Sequence, residues 1–345
     1  MPEFIAAFVD AVPLPALVIR RDESIEAANP QARALLGAGI VGRHFITALR
    51  QPQLLDAIEH SLRDSAPRAA DYMGNDGRQD TTFRVAVRPV EMRSGAGVLV
   101  SFEDVTHAEQ LVQMRRDFVA NVSHELKTPL TALIGFIETL KGPARNDPVG
   151  QARFLNIMEA EAHRMNRLVS DLLSLSRVEA DERVRPTERI DLGASILATI
   201  SGLSPLAQEA DVTLVHDLPD AQVVVPADRD QLHQVLTNLI ENAIKYCGKG
   251  TTVTVRLGAP DYAPGLRAQA ATLIIQDNGP GIDPIHLPRL TERFYRIDTH
   301  RSREMGGTGL GLAIVKHIVN RHRGRLKIQS EQGAGTRFTI TLPVS

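Results

Sequence analysis

The 345-residue sequence predicts a multidomain α+β protein, in which a helical hairpin separates two α/β regions. Three observations carry that reading. Apolar and polar residues alternate in short runs up to about residue 105, as in half-buried strands. From 107 to 181 the apolar residues recur instead at steps of three and four, as in amphipathic helices. From 187 onward strand-like runs return, interleaved with glycine clusters.

The opening "MPEFIAAFVDAVPLPALVIRRDE" has no basic segment ahead of an apolar one, so it does not read as a secretory signal. Its best apolar run, Ala11 to Ile19, is interrupted by Pro13 and Pro15. No stretch approaches the ~20 apolar residues that a membrane span needs, so a soluble, cytoplasmic protein is expected. "PALVIR" and "ESIEAAN" are short strands, and "PQARALLG" and "QPQLLDAIEHSL" are helices. In "TTFRVAVRPVE" the residues Phe83, Val85 and Val87 share one face, as do Val98, Val100 and Phe102 in "GVLVSFED". Two strands, small helices and a final pair of strands, leaving through "EDVTHAEQ" with Asp104 and Thr106 at the junction, resemble a PAS sensory domain over 1–106. The only cysteine is Cys247, so a flavin adduct here, a disulfide framework and a thiolate zinc site are all excluded. A cofactor-free signal-transfer module is expected.

In the second region, 107–181, one apolar stripe runs through Phe118, Val122, Leu126, Leu130, Leu133, Ile137 and Leu140. "KGPARNDP" (141–148) breaks it. A second stripe runs through Phe154, Met158, Ala162, Met165, Leu168, Leu172 and Leu175. Two such helices form an antiparallel hairpin, which cannot close a core around both stripes alone. Two hairpins can, as a four-helix bundle, so a two-fold homodimer is expected. His124 lies roughly 200° from both Val122 and Leu126 at the helical repeat, away from the stripe. By itself it reads as polar filler, and no His or Cys stands at ligand spacing from it.

The third region, 187–345, alternates helices and strands. "DLGASILATISGLSPLAQEA" and "DRDQLHQVLTNLIENAIKY" are helical, while "VTLVHDL", "AQVVVPA", "TTVTVRL", "ATLIIQD", "RLKIQSE" and "TRFTITLP" are strands. On the helix 228–246, Asn238, Asn242 and Lys245 fall at about 180–240° from Leu236, opposite Leu232, Leu239, Ile240 and Ala243. One face packs and the other offers two amides and an ammonium. Amide oxygens suit a hard cation such as Mg²⁺, which binds mainly through phosphates. "DNGPGI" (277–282) places Asp277 at a strand end, where a carboxylate can accept from an exocyclic amine. "GGTGLGLAIVKHIV" (306–319) is a glycine-rich loop entering a helix, a source of N–H donors for phosphate. It matches neither G-x-G-x-x-G nor G-x-x-x-x-G-K-[ST]. Lys plus Arg (39) against Asp plus Glu (41) gives no basic excess, so direct DNA binding is not expected.

Together, "NVSHELKTPL", "NLIENAIKY", "DNGPGI", "ERFYR" and "GTGLGLAIV" stand in the order of the H, N, first glycine, F and second glycine boxes. The chain from about 110 onward therefore resembles the sensor histidine kinases. Its C-terminal region resembles the Bergerat ATP-binding fold. "FVANVSHELKTPLTALIGFIETL" and "GGTGLGLAIVKHIVNRHRGRL" further resemble the phosphate-regulon sensor kinase subfamily, which commonly carries transmembrane helices that this sequence does not show.

The resemblance implies that His124 accepts a phosphoryl group from ATP, with Glu125 as its acid/base partner and Asn242 as the Mg²⁺ ligand. Asn238, Lys245 and Tyr246 would flank the nucleotide, Asp277 would read adenine, and Gly279, Gly281, Gly307, Thr308, Gly309, Leu310 and Gly311 would shape the site. Residues 283–306, with Phe294, Arg296, Arg301 and Arg303, would form a lid. Glu125 and Thr128, one turn apart beside His124, resemble the phosphatase motif of bifunctional kinases, although the Thr128 hydroxyl before Pro129 can equally bond the backbone. The implied partners are a second copy, the receiver domain of a response regulator and, from the subfamily, a phosphate-transporter-associated regulator that could hold the protein at the membrane. Two other readings compete: a conformational ATPase without phosphohistidine, and a PAS scaffold with a decayed kinase core.

Overall fold

The computed structural model describes residues 2–75, 80–92, 95–182, 184–298 and 307–344. The chain divides into two units, Met1–Ala120 and Asn121–Ser345.

In the first unit, helix α1 (Pro2–Asp10) precedes strands β1 (Ala16–Arg20) and β2 (Ile25–Ala28), helix α2 (Pro30–Leu36) and helix α3 (Pro52–Asp64). Three strands follow, β3 (Arg68–Asn75), β4 (Asp80–Met92) and β5 (Gly95–Asp104). The alternating runs do what their period requires. Phe83, Val85, Val87, Val98, Val100 and Phe102 all point into one core, where they meet Phe45, Leu54 and Ile58. All five strands pair antiparallel in the order β2-β1-β5-β4-β3. The strand pair expected after the helices is in fact three strands. β3, "RAADYMGN", has no clean alternation, and its pairing with β4 along the whole of its length forms it. α1 was also not expected; its Val9 packs with Ala16, Val18 and Ala27 on the opposite sheet face. Buried Asn29 ties the two together, accepting from Ala16 N (3.0 Å) and donating to the Val9 carbonyl (3.4 Å). At the exit, Asp104 accepts from Thr106 N (2.9 Å) and Thr106 Oγ1 accepts from Thr82 N (2.9 Å), which fixes the start of α4 (Thr106–Lys141).

In the second unit, the later part of α4 and α5 (Pro148–Ala180) form the antiparallel hairpin. Asp147 caps α5 through Gly150 N (3.0 Å), and Phe136 and Phe154 meet across the hairpin at 5.6 Å. Then come β6 (Arg189–Asp191), α6 (Leu192–Glu209), β7 (Val212–Asp217), β8 (Val224–Pro226), α7 (Arg229–Cys247), β9 (Thr251–Leu257), β10 (Asp261–Ala263) and β11 (Ala268–Asp277). The unit ends with α8 (Gly311–Arg321), β12 (Arg325–Glu331) and β13 (Gly335–Pro343). The main sheet runs β12-β13-β11-β9-β7 with β10 on β11, and only β7–β9 is parallel. The apolar face of α7, Leu232, Leu236, Leu239, Ile240 and Ala243, is buried as its spacing requires. No helix among the described residues is long and apolar enough to cross a membrane.

Candidate nucleotide site and phospho-acceptor helix

The site collects four pieces of the second unit. α7 contributes its polar strip: Asn238, Asn242 and Lys245 are half-buried beside the packed face, and Tyr246 at the helix end is exposed. Asn238 Nδ2 reaches the Gly311 carbonyl at 3.5 Å, so the strip abuts the start of α8. Lys245 Nζ pairs with Glu241 Oε2 at 3.0 Å, one turn back on the same helix.

Strand β11 delivers Asp277. It is buried, and its Oδ1 accepts from Gly279 N (3.0 Å) and Thr336 N (3.2 Å). Burial pushes this carboxyl above the usual carboxylate range, while the two amide bonds pull the other way. Gly281 follows at φ +69°, and a Cβ there would overlap the Glu331 carbonyl, so the turn admits only glycine.

The third piece is the loop 307–310 into α8. Thr308 and Leu310 are buried, and Thr308 Oγ1 accepts from Leu310 N at 3.3 Å. Gly309, at φ +75°, accepts from Phe294 N through its carbonyl at 2.8 Å. Phe294 itself takes a left-handed φ of 64°. The "ERFYR" segment is held by Tyr295, whose hydroxyl meets His286 Nδ1 at 2.7 Å and whose ring lies 4.2 Å under Arg289. Of the expected lid, 299–306 with Arg301 and Arg303 lies outside the described residues. The donor set fits a nucleotide: a buried acceptor for an amine, backbone amides at a helix start for phosphate, and amide side chains with an ammonium between them. Asn242 would hold Mg²⁺ by its amide oxygen, and the ion would neutralise charge on the phosphates.

His124 stands exposed on α4, on the face its helical angle assigns it. Thr128 Oγ1 donates to the His124 carbonyl at 3.1 Å, so the local backbone bond expected as one reading of this residue is formed. The bond serves a helix that Pro129 deprives of one N–H. Glu125 turns across the hairpin, and its Oε2 accepts from Arg164 Nη2 (2.7 Å) and Arg296 Nη2 (3.2 Å).

Several α5 residues join the site without any signal in the sequence. Asp171 Oδ2 accepts from the Thr308 hydroxyl at 2.6 Å, and burial raises its carboxyl while that bond lowers it. Glu179 pairs with Arg293 (2.5 Å) and His317 (3.5 Å), and Ser174 Oγ donates to Gln234 Oε1 at 2.7 Å. On sequence alone these are ordinary polar positions of an amphipathic helix; their partners stand 60 to 138 residues away in the chain.

Comparison with known proteins agrees with this division of labour. Residues 114–181 match the His Kinase A (phospho-acceptor) domain, and 227–345 match the histidine kinase-, DNA gyrase B- and HSP90-like ATPase family. The phosphate regulon sensor protein PhoR of Pseudomonas aeruginosa is 41% identical over 241 residues, 70% of this chain and 53% of that protein. The sensor histidine kinase WalK of Bacillus subtilis is 34% identical over 334 residues, 95% of this chain and 53% of that one. The chain thus spans about half the length of the curated relatives it matches. The crystal structure of histidine kinase ThkA in complex with the response regulator protein TrrA shares the fold, with a TM-score of 0.54 at 20% identity, covering 98% of both chains.

Proposed function

The chain belongs to the sensor histidine kinases, and on that premise we propose that it phosphorylates His124 from ATP and passes the phosphoryl group to an aspartate of a response regulator. The observation that carries this reading is the pairing, within one unit, of an exposed histidine on the hairpin with a nucleotide site built around buried Asp277. Phosphoryl transfer asks mainly for alignment and charge neutralisation. In this reading Asp277 selects adenine, the 307–311 amides and Lys245 hold phosphate, and Asn238, Tyr246 and Phe294 border the nucleotide. Gly279 and Gly281 shape the turn beneath it. One ring nitrogen of His124 attacks while the other gives its proton to Glu125. Thr128 supports a reverse role, orienting water toward an aspartyl phosphate on the docked regulator, once its hydroxyl leaves the His124 carbonyl.

The division into 1–106, 107–181 and 187–345 is supported by the two family matches and by the antiparallel sheet of the first unit, which suits a PAS-like sensor. A homodimer is supported by the hairpin's exposed apolar side chains, Leu130, Ile134, Leu155 and Leu173 among them. Phosphate-starvation signalling is supported by the 41% identity to PhoR; a phosphate-transporter-associated partner rests on the subfamily resemblance alone. The chemistry belongs on the cytoplasmic side, where ATP is supplied.

The test is incubation with γ-labelled ATP and Mg²⁺. Label that is acid-labile, base-stable and absent from His124→Ala is expected. Sustained ATP turnover in His124→Ala with no phosphoprotein in the parent would instead indicate a conformational ATPase. Failure to bind adenine nucleotides at all would indicate a scaffold.

A further inference from the structure

The acid beside the phospho-acceptor is held by two cations of different origin. Arg296 comes from the nucleotide-site segment, 171 residues on in the chain. Arg164 comes from α5, the other arm of the hairpin that carries His124. Arg164 Nη2 meets Glu125 Oε2 at 2.7 Å, the shorter of the two contacts, and its Nη1 meets Glu161 Oε1 at 2.9 Å one turn back on α5. The side chains of Arg164 and Glu125 are only 11% and 13% exposed. Arg164 Nε is buried with no partner among the described residues, which costs free energy that a surface ion pair would avoid. A pair serving stability alone has no need of that cost.

We propose that Arg164 is a positioning residue for phosphoryl transfer at His124: locked by Glu161, it holds the Glu125 carboxylate fixed in direction. This rests on the kinase reading above. In the step concerned, a His124 ring nitrogen forms the N–P bond and the bond from γ-phosphorus to the bridging oxygen breaks. The electron pair leaves on ADP, and the proton of the other ring nitrogen passes to Glu125 and then to water. A carboxylate that wanders among rotamers is absent from that proton's path most of the time.

The experiment is a double-mutant cycle on the full chain, reading autophosphorylation rate at saturating ATP together with the KM for ATP. Arg164→Met is expected to slow the rate about tenfold or more while leaving KM within about twofold. Arg164→Lys, which keeps the charge, should recover most of that loss. In a Glu125→Gln background, Arg164→Met should change the residual rate by less than about twofold, because its effect runs through Glu125. A full tenfold effect in that background, or no recovery with lysine, overturns the proposal. Should Arg164→Met fail to fold, Glu161→Gln decides: a drop of about threefold is expected, and an unchanged rate overturns it. A parent chain that takes no label at all would sink the kinase reading instead, a result distinct from any of these.

Discussion

Replacing Asp277 by Asn separates what this side chain does for the nucleotide from what it costs the fold. Asp277 is 7% exposed, and one oxygen, Oδ1, takes both amide bonds, from Gly279 and Thr336. Asparagine keeps an oxygen for those bonds and puts an NH₂ where Oδ2 was. An adenine amine would then face a donor in place of an acceptor. The loss of a charge-assisted bond, about 1.5–3 kcal/mol, corresponds to roughly 10- to 150-fold weaker ADP binding, measured by isothermal titration of the whole chain. Stability should move the other way. The folded carboxyl titrates above its unfolded value because of burial, so between the two values the native state holds the extra proton. Wild-type stability therefore falls as pH rises through that window, and the full burial penalty is present above it. Asparagine carries no such penalty. Its melting temperature relative to wild type should climb as pH rises from about 4 and level off once Asp277 is ionised in the folded state. A folded variant that binds ADP within about twofold of wild type would refute the adenine assignment. A variant that melts below wild type at neutral pH would refute the burial half of the reasoning.

Three further outcomes are expected. Thr128→Ala should retain autophosphorylation and forward transfer while slowing dephosphorylation of the phosphorylated regulator about tenfold or more; equal loss of all three activities would leave Thr128 only its bond to the His124 carbonyl. Leu130→Glu combined with Leu155→Glu, at positions 50% and 55% exposed on the hairpin, should convert a dimer to monomers in sedimentation velocity, and an intact dimer would remove this face from the interface. Gly281→Ala, at φ +69° against the Glu331 carbonyl, should destabilise the unit by about 1–3 kcal/mol and abolish ADP binding; an unchanged melting curve would contradict the strain.

Periodicity made the hairpin and α7 legible. A stripe at steps of three and four fixes both a helix and its buried side, so His124, Asn238 and Asn242 could be assigned to polar faces before any contact was known. The glycine boxes were legible because a positive φ and a close backbone approach leave few residue choices, as at Gly281 and Gly309. What escaped was set by long-range pairing. β3 exists because β4 offers it an edge, and α1 because Val9 finds a sheet face to cover. Asp171 and Arg164 carry no local mark; each acquires a role from a partner 137 or 39 residues away. Nor does the sequence say that Glu125, read as the partner of its neighbour His124, turns across to α5 and Arg296.

The central claim, that His124 is where phosphate enters the relay, is tested most directly by locating the phosphoryl group itself. The full chain, treated briefly with Mg²⁺-ATP and kept at alkaline pH, is digested and fragmented by electron transfer, which preserves the labile N–P bond. A single phosphorylated residue at His124, lost when a receiver domain is added, is the expected result. A phosphate on any other residue, or on His124 but not discharged by any receiver domain, would contradict the account.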